Sequence, residues 1–434
     1  MHVKSRRDTS RPAEATVERQ HVTMMDLQCR GCGGRHVRMF LDLGDQPHCN
    51  RLIPPSLADR KEPYYPLRVG YCDDCRMVQI DYTIPKESMF SDYPYVSGTT
   101  KTLVQHFKDT AERLIATYRF GAGDLVVDIG SNDGTWLSHY QPFGLRVLGI
   151  DPAANVVELA VKRGVPTWAR FFNEDTASEI VAKEGKASLV TAAGVFFHLE
   201  ELHGVIRGVK TLLAENGVFV VQAIYLGGMV DNLAFDQVYH EHLVYYTLRS
   251  IEALFARHDL EVFDARIVPI HGGSLEVHIA PKGQREIRAS VIAMRAEEER
   301  KGYGRFDTYE RFAAGVWRLR EELNALLQRY RHQGKTVYAY GAPAKGATLL
   351  NSFGIGPDLV QKAAEKNPMK IGYLMPGSRI PIIDEGEARP DAYLLLAWNF
   401  FDEIVAKERE FLRAGGEFIV PIPRLRVIGA ADAS

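Results

Sequence analysis

The sequence predicts an α/β protein in three parts, and three observations carry that prediction. Four of the five cysteines fall into two CxxC pairs, Cys29 with Cys32 and Cys72 with Cys75. From about residue 100 onward, apolar strand-like runs alternate with helical sequence, beginning at LVVDIGSNDG (Leu125 to Gly134). A second alternation opens at KTVYAYGAPAKGATLLN (Lys335 to Asn351). Strand and helix in turn imply an open parallel sheet with helices on both faces. The expected parts are a tail over 1–24, a zinc-binding module over 25–85, a central Rossmann-like domain over 86–305 and a second Rossmann-like α/β domain over 306–434.

The chain has 434 residues, 46% hydrophobic and 25% charged, which suits a folded protein of several domains and excludes disorder throughout. Lys and Arg number 53 against 55 Asp and Glu, a net charge of −2, so nothing asks for a nucleic-acid partner. No run approaches the roughly 20 apolar residues of a membrane span, and the opening MHVKSRRDTSRPAEATVERQ has no apolar core of a secretion signal. A cytoplasmic protein is expected, monomeric or a small homo-oligomer. The charged first segment reads as a mobile tail or as sequence upstream of the true start.

Two CxxC knuckles in a reducing compartment place four thiolates where tetrahedral zinc needs them, so Cys29, Cys32, Cys72 and Cys75 are the expected ligands. With all four positions filled by protein, such a metal is structural. His36, His48 and Cys49 are spare candidates, read as non-ligands.

In the central unit Val104, Phe107, Ala111 and Leu114 repeat at helical spacing, and RVLGIDP (Arg146 to Pro152), ASLVTAAG (Ala187 to Gly194) and GVFVVQAIY (Gly217 to Tyr225) continue the strand pattern. Between the last two, Leu202, Val205, Ile206, Val209, Leu212 and Leu213 share one helical face. In such a sheet a nucleotide-like ligand meets the first glycine turn, beyond the carboxyl ends of the strands. Here that turn reads Gly130-Ser-Asn132-Asp-Gly134, which fails the dinucleotide spacing GxGxxG. It is similar to the DxGxxxG turn of S-adenosylmethionine-dependent methyltransferases, in which Asp128 and the glycines let the backbone close on the methionine part. Asp151, ending the second strand, is placed to accept from ribose hydroxyls.

The last third opens on a long amphipathic helix (Ala314 to Gly334) and continues through AYLLLAWNF (Ala392 to Phe400) and GEFIVPIP (Gly416 to Pro423). Lys345 in GAPAKG sits at a helix start, where backbone N–H groups attract anions, and is read as a substrate-phosphate contact. The alternative is an ordinary turn with a solvated lysine.

One short stretch, VYHEHLVYY (Val238 to Tyr246), concentrates three tyrosines, two histidines and a glutamate. With the zinc knuckles, VVDIGSNDGTW, FFHLEELHG (Phe196 to Gly204), HGGSLEVHI (His271 to Ile279) and YGAPAKGATLLN, it resembles the sugar C-methyltransferases of deoxysugar biosynthesis from about residue 27 to the end. The resemblance implies S-adenosylmethionine as methyl donor, structural zinc, and a nucleotide-linked 4-keto sugar bound between the last two domains. It implies His242 as general base, Glu241 and Tyr239 binding or orienting the substrate, His198 beside the developing oxyanion, and Tyr93 (or Tyr95) as a further active-site tyrosine. In an extended segment His240 points away from His242 and is read as structural; His198 could instead cap a helix. His271, before Gly272 and Gly273, reads as part of a tight turn.

The chemistry agrees with that implication. A carbon next to a ketone becomes a nucleophile only on losing a proton, and an imidazole titrating near neutrality suits the task. One departure stands out: the family usually carries Ala-Asn-Asn where this chain has Ala192-Ala193-Gly194, so the acceptor is expected to differ. Rival readings are a small-molecule O- or N-methyltransferase on the same scaffold and an RNA methyltransferase with a zinc ribbon, the latter disfavoured by the balanced charge.

Overall fold

The computed structural model describes residues 24–90, 96–270 and 272–432; the tail before Met24, Tyr93, Tyr95 and His271 lie outside the described residues. Three sheets share one continuous apolar core.

The first sheet is antiparallel and built from β1 (Val37–Pro47), β2 (Tyr64–Cys72) and β3 (Val78–Ile80). Its cysteine turns are twins. Gly33 N–H closes on the Cys29 carbonyl and Arg76 N–H on the Cys72 carbonyl, both at 2.8 Å. Each residue following the second cysteine is left-handed, Gly33 at φ +74° and Arg76 at φ +64°.

The central sheet contains β4 (Leu125–Ile129), β5 (Arg146–Asp151), β6 (Thr167–Ala169), β7 (Ala187–Ala193) and β8 (Leu213–Ile224), all parallel. The short strand β9 (Val244–Tyr245) leaves this unit and pairs with β3 as the fourth strand of the first sheet. The sheet is then completed by β10 (Leu260–Val268) and β11 (Ser274–Pro281), in the order β10-β11-β8-β7-β4-β5-β6. Beside the predicted parallel strands, β10 and β11 run antiparallel. Only five residues join them, too few for the crossover that a parallel pair requires. On one face lies the helix Lys101–Tyr118, which buries Leu103, Phe107, Ala111 and Leu114, with the Phe107 ring stacked on Trp136 at 5.0 Å. The helix Leu202–Leu212 covers the other with its predicted apolar stripe. Strand order reverses between β7 and β4, which puts the ligand crevice beside the turns that follow those two strands.

The third sheet comprises β12 (Val337–Tyr340), β13 (Lys362–Glu365), β14 (Ile382–Asp384), β15 (Ala392–Leu395), β16 (Glu417–Val420) and β17 (Arg426–Ile428), ordered β14-β13-β12-β15-β16-β17. It is parallel except for β17. Its leading helix runs Phe306–His332, starting earlier than predicted, with Tyr309, Phe312, Val316, Leu319, Leu323 and Leu327 buried along one side.

Candidate active site and metal centre

The twin cysteine turns bring Cys29, Cys32, Cys72 and Cys75 together with all four sulfurs within 4.8 Å of one another. Cys29 and Cys75 are 3.5 Å apart and Cys32 and Cys72 3.6 Å. A tetrahedral zinc with bonds of about 2.3 Å needs sulfurs roughly 3.8 Å apart, so the donor set fits that ion. Cys49 is elsewhere, buried with its sulfur 3.8 Å from Glu241 Oε1, and His36 faces Asp74 at 3.0 Å.

At the end of β4 the chain turns through three left-handed residues, Gly130 (φ +72°), Asn132 (φ +51°) and Gly134 (φ +74°). A Cβ at Gly130 would lie 2.8 Å from Val195, and one at Gly134 2.9 Å from Val165, so glycine is needed for packing as well as conformation. Asp128 is buried beneath the turn and accepts the Thr191 hydroxyl at 2.6 Å. Burial pushes its carboxyl up to about 7, with the Thr191 bond opposing. Asp151 accepts backbone N–H groups from Ala153 and Asn132, both at 2.9 Å, one on each oxygen. Each carboxylate oxygen has capacity for a further donor, which fits ribose hydroxyls. Burial raises this carboxyl too. The Asn132 side chain accepts from Ser97 N–H at 2.9 Å and Asp133 from Gly98 N–H at 3.1 Å, so the turn also anchors the segment that follows the undescribed residues 91–95. Turn and donor set fit S-adenosylmethionine.

The turn leads to the histidines through Val195, which Gly130 abuts. His198 lies in a turn after β7, not at a helix start, since the helix begins at Leu202; the capping alternative therefore fails. Its Nδ1–H donates to the Glu241 carbonyl at 2.6 Å. Burial holds its ring below the ordinary histidine value, with the Glu241 carboxylate opposing. The Phe197 carbonyl accepts from Leu243 N–H at 2.8 Å, and the Phe197 ring meets the His242 ring edge-on at 4.6 Å.

Residues 239–242 form a tight turn closed by His242 N–H to the Tyr239 carbonyl at 2.9 Å, which corrects the extended segment expected there. The turn sets Tyr239 against His242 with ring centres 3.8 Å apart and planes tilted by 37°, and brings the His198 and His242 ring centres to 5.2 Å. His242 Nδ1–H donates to the Gln237 carbonyl at 2.8 Å, so in the neutral ring the lone pair sits on Nε2. His240 faces away as expected, its Nε2–H donating to the Pro66 carbonyl at 3.0 Å. The Glu241 carboxylate, 1% exposed, accepts from Asn50 Nδ2 at 2.6 Å and lies 3.2 Å from His48 Nε2. Burial alone would raise it, but the His48 and His198 rings and the Asn50 amide hold it at about 2.

Lys345 starts the helix Ala344–Phe353 and is half-buried, its ammonium bonded to Asn399 and 4.1 Å from the centre of the Trp398 ring. Trp398 Nε1–H donates to Asp236 Oδ2 at 2.7 Å. Burial pulls Lys345 down to about 8, with Asp236 opposing, and pushes Asp236 up to about 6.

Known proteins match this layout part by part. Residues 29–90 match the family described as "Putative zinc binding domain", residues 104–265 "Methyltransferase domain" and residues 269–423 "C-methyltransferase C-terminal domain". The C-methyltransferase NovU of Streptomyces niveus is 37% identical over 407 residues, covering 93% of this chain and 97% of that protein. The chain belongs to the C-methyltransferase family. As a member it is an S-adenosylmethionine-dependent methyltransferase with a zinc-binding module. Among solved structures, magnesium protoporphyrin IX methyltransferase from Synechocystis PCC 6803 with bound SAH is 16% identical, over 41% of this chain and 83% of that one, with a TM-score of 0.33. A SAM-dependent methyltransferase from Anabaena variabilis is 18% identical, over 40% and 84%, with a TM-score of 0.32. Both likenesses are distant and partial. Among the described residues of this C-methyltransferase, no helix is long and apolar enough to cross a membrane.

Sequence reasoning missed His48 and Asn50 as partners of Glu241, and Asp236 and Trp398 beside Lys345. Asn50 and Glu241 are 191 positions apart, so no local pattern joins them.

Proposed function

We propose that this enzyme methylates a carbon next to the ketone of a nucleotide-linked 4-keto deoxysugar. The observation that carries the reading is the tautomer of His242: with Nδ1–H committed to the Gln237 carbonyl, the neutral ring presents a basic Nε2 in a buried aromatic setting. His242 Nε2 would take the proton from the activated carbon, and the C–H electron pair would pass into the enolate, whose carbon would take up the methyl as the methyl–sulfur bond breaks with its electron pair left on sulfur. When bound, S-adenosylmethionine supplies an electrophilic methyl on a positively charged sulfur, held by the Gly130–Gly134 turn and Asp151. His198 contacts the sugar beside the developing oxyanion, and Tyr239, whose ring lies against the base, orients the substrate together with Tyr93 or Tyr95. After transfer, the His242 proton leaves to solvent. Such a positioned base is worth about 10²- to 10⁴-fold.

Lys345 contacts the nucleotide phosphates. Support comes from its low setting of about 8: desolvation disfavours the cation, and a bound anion offsets that cost. The acceptor on this reading is a small molecule, anionic at one end and ketonic at the other.

The test is incubation with S-adenosylmethionine and a panel of nucleotide-linked 4-keto sugars, with the methyl located by NMR. A new carbon–methyl bond is expected; a methyl on oxygen overturns the reading.

A further inference from the structure

The cysteine module grips the segment around His242 from both sides. Ahead of it, Asn50 and His48 hold the Glu241 carboxylate, and His240 donates to the Pro66 carbonyl. Behind it, Ile80 N–H donates to the Leu243 carbonyl at 3.0 Å, and β3 pairs with β9 through Val78 with Tyr245 and Gln79 with Val244. The Glu241 main chain also matters, because its carbonyl takes Nδ1–H of His198. One residue thus links the two histidines to the module: its side chain faces His48, Cys49 and Asn50, and its backbone aims His198 and precedes His242.

We infer that His48 and Asn50 are positioning residues for methyl transfer. By fixing the Glu241 carboxylate they hold the 239–242 turn that aims His242 and His198, and Glu241 acts through that turn without touching the acceptor. The inference rests on His242 being the base. A buried carboxylate hydrogen-bonded to the Asn50 amide and facing the His48 ring at 3.2 Å has one low-energy position, and deleting either group leaves its charge undercompensated. The turn then shifts toward another partner, and displacement by about 1 Å at a reacting group costs roughly a hundredfold. The acceptor and cofactor contacts, made by other residues, are left in place.

The test uses the full-length, zinc-loaded enzyme with S-adenosylmethionine and a dTDP-linked 4-keto-6-deoxyhexose as the probe acceptor. Asn50→Ala and His48→Ala are each expected to lower kcat by about tenfold or more while both KM values stay within about twofold. Zinc content per chain and the calorimetric affinity for S-adenosylmethionine should not change. Asn50→Asp, which sets two carboxylates face to face, should be worse. The pair Asn50→Asp with Glu241→Gln restores a hydrogen bond with donor and acceptor exchanged, and should recover about tenfold or more over Asn50→Asp alone. Two results overturn the inference: variants within about twofold of the parent kcat, or a zinc-loaded double variant no better than Asn50→Asp, which makes the Glu241 carboxylate itself a contact to the acceptor. Should Asn50→Ala not fold, His48→Ala and the exchange pair carry the test alone. His242→Ala run alongside separates the two levels: full activity in that variant removes the base, whereas a dead His242→Ala with unaffected Asn50 variants removes only the clamp.

Discussion

The segment from Phe235 to Tyr246 is held on two sides, and the two holds differ in kind. On the module side the Glu241 carboxylate is surrounded by His48, Cys49 and Asn50 and kept at about 2. On the side of the third sheet, Phe353 stacks on Phe235 at 4.8 Å, the Thr348 hydroxyl donates to the Val238 carbonyl at 3.1 Å, and Trp398 donates to Asp236. There the charges are poorly compensated. Asp236 is pushed up to about 6, with Oδ1 buried and lacking a hydrogen-bond partner among the described residues, and Lys345 is drawn down to about 8. The module side gathers its partners on a single carboxylate, whereas the third-sheet side sets a desolvated lysine near a desolvated carboxylate, and burial disfavours the charged form of each. The proposed substrate contact, Lys345, lies on the second of these sides.

Stripping the metal is the harshest way to break this contrast. Structural zinc of this type contributes about 10 kcal/mol or more in small domains. Chelation, or Cys72→Ser, should therefore lower the thermal midpoint and abolish methyl transfer together, because the module carries the grip on Glu241. A metal-free enzyme of full activity would show that the module has no part in positioning the base.

Acid stability probes the same grip more gently. With its folded-state value held at about 2 against the usual 4.5, Glu241 contributes stability that is complete above pH 4.5 and is lost as pH falls toward 2. The size is about 3 kcal/mol. Denaturant titrations across that window should show a flatter decline in Glu241→Gln than in the parent; identical slopes would mean the carboxylate is not held.

On the other side, Lys345→Met should raise the acceptor KM by about tenfold or more with little loss of kcat, since it removes binding common to ground and transition states. Thermal unfolding should show no loss of stability, because the substitution relieves a desolvated cation. A fall in kcat at unchanged KM would move Lys345 out of substrate binding.

The smallest effect is expected at Gly194. It is left-handed (φ +70°), and a Cβ there meets nothing within 4 Å. Asparagine tolerates that conformation better than other residues with a side chain, so Gly194→Asn should fold with a cost of about 1 kcal/mol or less. Its effect should appear in the acceptor preference, read as relative kcat/KM across a sugar panel.

Much of this arrangement was legible before any coordinates. The strands at 125–129, 146–151 and 187–193 announce themselves as apolar runs ending in glycine or acid, and the paired cysteines need only their spacing. The antiparallel β10 and β11 were not, because an apolar run carries no direction. The first turns of the helix Phe306–His332, FDTYERFAA, bury Phe306, Tyr309, Phe312 and Ala313 at helical spacing, so the apolar stripe begins about two turns before the predicted start at Ala314. The alternation of side chains at 239–242 reads as extended chain, whereas the fold bends the segment into a tight turn held by long-range bonds to Asn50 and Pro66. Local pattern marks the reactive residues, and distant partners decide their geometry.

The central claim is that His242 removes a proton from carbon. The most direct measurement is deuterium wash-in at the carbon next to the ketone, followed by NMR in deuterated water with S-adenosylhomocysteine in place of the methyl donor. The account predicts exchange by the parent enzyme and a rate lowered about 10²-fold or more in His242→Ala. Exchange at the parent rate in His242→Ala would contradict it.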